Sequence, residues 1–130
     1  ELSDMCSYLA EQGLAVKENL RWEEGDVFIY EEYLTRILDN ISSNILKYAD
    51  VQALVLVWDE YYADEMCITF ENVCGQKNSG MDSYNIGIRN VKMMMEEMGG
   101  KCEVVQDRER FRICLRFRYK KSNRKTENSF

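Results

Sequence analysis

EEYLTRILDNISSNILKYAD, residues Glu31–Asp50, is the stretch around which the chain is organised. Leu34, Ile37, Leu38, Ile41, Ile45 and Tyr48 recur at helical spacing and form one apolar stripe. Glu32, Arg36, Asp39 and Ser43 fall on the opposite, wet face. Between the two, at spacings of four and three, Asn40, Asn44 and Lys47 make a polar line along one rim of the apolar face. Two amides and an amine in line, ending beside Tyr48, can hold an ion and a phosphate. The alternative is a pair of half-buried asparagines bonded to neighbouring backbone, since helix-interior Asn is only mildly unfavourable.

The chain has 130 residues, enough for one domain with a core and too few for two. Its net charge of −6 argues against a nucleic-acid binder, which needs a basic face. No apolar run approaches the length of a membrane span and no signal peptide is visible. A cytoplasmic domain is expected, cut from a longer parent in which a membrane anchor could lie upstream. The chain has no histidine, which excludes any His ligand, base or phosphoacceptor within it. Cys6, Cys67, Cys74, Cys102 and Cys114 are an odd count without paired metal-ligand spacing, and reduced thiols are expected. Cys67, Cys102 and Cys114 lie in apolar runs and read as small buried hydrophobes.

Working outward in chain order, LSDMCSYLAEQG predicts a helix capped by Ser3, striped by Met5, Tyr8 and Leu9, and ended by Gly13. LAVKENLRW alternates like a strand, EEGD reads as a turn and VFIYE as a second strand, so this pair suggests a hairpin. After the long helix, VQALVLVWDEYY and DEMCITFENV are strands rich in Val, Ile and aromatics. CGQKNSGMDSYN, Cys74–Asn85, has loop composition. IGIRNVKMMMEEMGG returns to helix on a stripe of Ile88, Val91, Met95 and Met98. KCEVVQD and RFRICLRFRY close the chain as a strand pair around DRER, and KKSNRKTENSF is a polar, basic tail expected to fray. Strand pairs separated by single helices predict an α+β fold, a two-layer sandwich with a mixed, mostly antiparallel sheet and helices on one face. A doubly wound nucleotide fold would alternate strand and helix singly and is rejected.

DNISSNILKYAD resembles the N box of histidine-kinase ATP-binding domains, commonly D-N-L-x-x-N-A-x-K-Y. In that box the second Asn coordinates magnesium, the Lys touches phosphate and the Tyr flanks adenine. The resemblance implies these roles for Asn44, Lys47 and Tyr48, with Asn40 at the first Asn. NIGIRNVKMMMEEMGGKCEV is similar to the second glycine box, G-x-G-L followed by a helix and a Gly pair. There Gly87, Ile88 and Arg89 would open a helix whose free N–H groups meet phosphate. Asn85 stands where the first Gly usually stands. ITFENVCGQ resembles the first glycine box, D-x-G-x-G, with Asn72 in the place of the adenine-reading Asp, and Cys74 and Gln76 in the Gly places. Gly75 and Gly80 complete the expected nucleotide contacts, with Cys74–Asn85 as a short lid.

The resemblance covers about Leu14 to about Tyr119. It implies a Bergerat-type (GHKL, HATPase) fold with residues 14–119 as the catalytic domain, 1–13 as a leading helix and 120–130 as the tail. It further implies ATP and Mg2+ as cofactors, and γ-phosphoryl transfer to a histidine on a separate domain of a homodimeric bacterial two-component kinase. A response regulator would then receive the phosphoryl group. Asn40 occupies the place where ATP-hydrolysing relatives carry a general-base Glu, which favours kinase over hydrolase. Two rivals stand beside this reading: a nucleotide-dead domain used for protein contacts, and an anti-sigma-type serine kinase. Asn72, as a neutral acceptor, is expected to read adenine more weakly than a carboxylate would.

Overall fold

The computed structural model describes residues 1–75 and 81–122, and side chains throughout these except at 81–86. Three helices, α1 (Leu2–Glu11), α2 (Glu31–Tyr48) and α3 (Met81–Glu97), cover one face of a six-stranded sheet. The strands are β1 (Ala15–Asn19), β2 (Gly25–Val27), β3 (Leu54–Tyr61), β4 (Glu65–Val73), β5 (Lys101–Gln106) and β6 (Arg110–Lys121). This is the expected α+β sandwich, with β1–β3 as the single parallel pair and antiparallel pairing elsewhere.

The apolar stripe of α2 goes where its period sends it. Ile37, Leu38, Ile41, Ile45 and Tyr48 are buried, whereas Glu32, Arg36, Asp39 and Ser43 are exposed. On α3, Ile88, Val91 and Met95 are buried as the stripe predicts, Met98 just past its end is buried with them, and Met94 joins them, while Met93 faces out. Against these helices the sheet presents Val55 and Val57 of β3, Met66, Ile68 and Phe70 of β4, and Phe111, Ile113, Leu115 and Phe117 of β6. Alternate residues of these strands turn to the other face, where Glu71 is buried between Arg110 and Arg112.

Several local expectations are corrected. The hairpin between the second and third elements does not form: β1 pairs in parallel with β3, and β2 pairs with the far end of β6. The connection is held apart by Asp59 on β3, whose carboxylate accepts the N–H groups of Arg21 and Trp22 at 2.9–3.1 Å. Gly25 and Asp26, expected in a turn, belong to β2. They pair with Lys121 and Lys120, so the first two tail residues are strand, and residues 123–130 lie outside the description.

In α1, Ser3 is inside the helix and Glu1 takes the N-cap position without a side-chain cap bond. The buried positions are Leu2, Met5, Cys6 and Leu9, a register that leaves Tyr8 46% exposed. This leading helix therefore shares the core of the domain. Gly13, at φ +95°, ends it in the left-handed conformation that favours glycine.

Candidate functional site

Helix α2 ends where the end of β4 takes hold of it. Ala49 leaves the helix in an extended conformation and forms a bridge with Cys74. The N–H of Asp50 donates to Val73 O and that of Gly75 to Tyr48 O, both at 2.7 Å. These backbone bonds bring the last turns of α2, with Asn44, Lys47 and Tyr48, to the strand end carrying Asn72 and Gly75. Sequence separation hides this corner, yet it joins the two segments that resemble the N box and the first glycine box.

Asn44 is 7% exposed, and its Nδ2 has no hydrogen-bond partner among the described residues. Burying an amide donor unpaired costs about 1–3 kcal/mol. Such a group in a native fold requires an explanation, and a functional role is one of the recognised ones. The alternative of an amide bonded to neighbouring backbone is therefore not what the structure contains at this atom. From across the groove Gly87 approaches: a Cβ there would lie 3.6 Å from both Nδ2 and Oδ1 of Asn44. The glycine leaves open the space that a side chain would take from the amide.

The remaining residues separate by burial. Asn40 is half-buried in a groove of about 480 Å3 between α2 and α3, which it shares with Arg36, Asn90 and Met93. Lys47 is exposed in the last turn of α2, where a cation complements the helix dipole. It also lines a hollow of about 720 Å3 on the α1 side, which holds none of the other candidate residues. Tyr48 is buried with the core. Asn72, on the helix-facing side of β4, is 4% exposed, and its Nδ2 donates to Val73 O at 3.3 Å, leaving its oxygen as acceptor.

Gly87, Ile88 and Arg89 do not open a helix. α3 begins at Met81, so they lie in its second and third turns and their N–H groups are inside the helix. The segment MDSYN contains neither Gly nor Pro, and its polar residues cost at most about 0.7 kcal/mol each in a helix, so the apolar stripe carries the helix back over them. Ile88 is a core residue and Arg89 is exposed. The expected loop Cys74–Asn85 is thus helical over its last five residues. Gln76 and Gly80, with the middle of the expected lid, lie outside the described residues. Cys74 is half-buried, and burial, with the charge of Asp107 added, raises its thiol above the ordinary range.

The class this architecture defines is the histidine-kinase domain fold. Over 93% of the chain it superposes on the mycobacterial sensor histidine kinase MprB with a TM-score of 0.70 at 12% identity, covering 96% of that chain. Histidine kinase AdeS of Acinetobacter baumannii gives a TM-score of 0.69 at 12% identity, over 90% of this chain and 60% of that one. Full-length ShkA in complex with AMPPNP gives 0.69 at 13% identity, over 94% of this chain and 31% of that one. At such identities the likeness is one of fold.

Sequence points the same way: the chain is 27% identical over 116 residues to the sensor histidine kinase YrkQ of Bacillus subtilis strain 168. That match covers 89% of this chain and 27% of YrkQ, so the chain spans about a quarter of that relative's length. No family model matches. In fold and sequence the chain is similar to a histidine-kinase ATP-binding domain, as the N-box residues implied.

Proposed function

We propose that this domain binds Mg-ATP at the α2–β4 corner and positions its γ-phosphoryl for transfer to a histidine on a separate domain of a two-component kinase. The buried Nδ2 of Asn44, without a partner among the described residues, beside the bare backbone of Gly87 carries the reading. The donor set fits the group. A side-chain amide offers an oxygen to a hard divalent cation and N–H donors to phosphate, and which end points outward is a rotation of the amide. Asn44 and Asn40 would hold Mg2+, and Lys47 would meet phosphate. Asn72 would offer its free oxygen to the adenine amino group beside Tyr48 and Gly75. Bound magnesium supplies charge neutralisation on the phosphates, while the protein's own part is orientation.

Asn44→Ala tests this. Its Nδ2 makes no bond to the described residues, so truncation should cost about 1 kcal/mol or less in stability. Magnesium-dependent ATP binding, read by calorimetry, should vanish. A folded variant with parental Mg-ATP affinity removes Asn44 from the site and with it this reading. A nucleotide-dead interaction domain is the second reading, favoured by the polar Asn72 and Cys74 where the first glycine box carries Asp and Gly. It requires that the parent itself show no shift in melting temperature with Mg-ATP.

A further inference from the structure

The face of the sheet turned away from the helices carries a feature unrelated to the α2–β4 corner. In the β4–β6 ladder Cys67 stands opposite Arg116 and Thr69 opposite Cys114, so the two cysteines are diagonal neighbours on adjacent strands. Both are free and lie side by side on the outer face of the sheet. Cys67 is 1% exposed while Cys114 is half-buried. The Arg116 guanidinium donates from Nη1 to Cys67 Sγ at 3.3 Å and to Glu65 at 2.8 Å, and its Nε bonds Glu103. A cation is therefore fixed beside a pair of sulfurs, one of them within reach of solvent.

We propose that Cys67 and Cys114 form an oxidisable dithiol, a modification site on the outer sheet face that takes a hydroperoxide and closes to a cross-strand disulfide. Cys114, half-buried where Cys67 is 1% exposed, is the sulfur a hydroperoxide can reach and is the attacking one. The hydrogen bond from Cys67 lowers its thiol below the ordinary range against the opposing effect of burial, and the Thr69 hydroxyl and Arg116 add to the lowering. The neighbouring Cys114 and burial raise the Cys67 thiol, against the lowering charge of Arg116. The chemistry balances in two steps. The Cys114 thiolate attacks the terminal peroxide oxygen, the O–O bond breaks, and the departing alkoxide or hydroxide takes a proton, leaving Cys114 as sulfenic acid. The Cys67 sulfur then attacks Cys114, the S–O bond breaks, and the hydroxyl leaves as water with the Cys67 proton. Diagonal neighbours sit ~7–8 Å apart at Cα, just beyond the usual disulfide span, so closure draws β4 and β6 together. A bond made under that constraint is readily reduced, which suits a reversible modification.

The test exposes the 130-residue chain to limiting hydrogen peroxide, blocks remaining thiols and maps peptides without reduction. The expected product is a Cys67–Cys114 link, reversed by dithiothreitol, with Cys114 consumed roughly tenfold faster than Cys102, whose thiol burial pushes up to about 12. In Cys67→Ser the second step is blocked, so a cyclic dione should label Cys114 as sulfenic acid. A dominant link through Cys6, Cys74 or Cys102, a link between two chains, or equal consumption of Cys114 and Cys102 overturns the proposal. The peptide map of the parent decides the matter even if the variant does not fold.

Discussion

Gly87 and Asn72 show how one residue's surroundings set what its replacement does. A methyl group at Gly87 would sit 3.6 Å from the Asn44 amide, an ordinary contact, and the backbone there is helical. Gly87→Ala should therefore stabilise the helix by about 1 kcal/mol and raise the melting temperature by a few degrees. The same methyl covers the unpartnered amide, so Mg-ATP affinity should fall roughly tenfold or more. Thermal melts beside ATP titrations read both effects, and a variant that gains stability at unchanged affinity places the ligand elsewhere. At Asn72 a carboxylate would accept more strongly from adenine than an amide does. The residue is 4% exposed and already donates to Val73 O. Asn72→Asp would lose that donor and bury a charge beside a carbonyl, at a cost of about 1–3 kcal/mol. Its melting temperature should drop at pH 7 and recover as acid protonates the new carboxyl; no drop at pH 7 would mean that this end of β4 is open to water.

Among the elements, α2, α3, β3, β4, β5 and β6 were legible in the sequence because each carries a long periodic run. The β1–β2 segment was not, because its pairing is decided by a carboxylate thirty-odd residues away. Trp22, 56% exposed and at φ 50°, is held in the left-handed region while Asp59 takes its N–H. Burial pushes the Asp59 carboxyl up, but the hydrogen bonds from Tyr61 Oη and from the backbone N–H groups of Arg21 and Trp22 outweigh it and leave the group below its ordinary value. The ionised form is thus favoured by folding. Its contribution is present above about pH 4, the unfolded value, and is lost as pH falls through the lower folded value. Asp59→Asn should cost about 1–3 kcal/mol at neutral pH. The gap between the two proteins should then narrow below about pH 4. Urea denaturation of both across pH 2 to 7 measures it, and a gap independent of pH would mean that Asp59 holds the segment as a neutral group would. The start of α3 was misplaced for a similar reason: polar composition says loop, but the stripe behind it carries the helix through.

At the scale of the whole molecule, the sandwich could be anticipated from the order of elements, and the α2 rim from its spacing. What spacing could not show is that backbone bonds from Asp50 and Gly75 fold the α2 rim onto the end of β4, or that Asn44 Nδ2 has no partner there among the described residues. Nor could it show how the leading helix relates to the rest. Residues 1–13 read as a leading helix, either this domain's own or the end of a preceding region; Leu2, Met5, Cys6 and Leu9 lie in the same core cluster as Leu38, Ile41 and Leu14. Burying a large aliphatic side chain is worth about 1.5–3 kcal/mol, so Leu2, Met5 and Leu9 together contribute on the order of 5 kcal/mol, with a smaller share from Cys6. A domain of ordinary stability holds about 5–15 kcal/mol in all, so losing α1 takes away a large part of the margin. A chain starting at Gly13 should accordingly show a much lower melting temperature or no cooperative transition, with its exposed core binding a hydrophobic dye. Leu9→Ala, which removes one fully buried side chain and keeps the helix, should cost about 2–5 kcal/mol. If the shortened chain melts cooperatively near the parental temperature while Leu9→Ala is destabilised, α1 is an appendage that strains the domain only when mispacked. If both lose stability in the expected order, the helix is part of the domain's core, and the corner that holds Asn44 depends on it through α2.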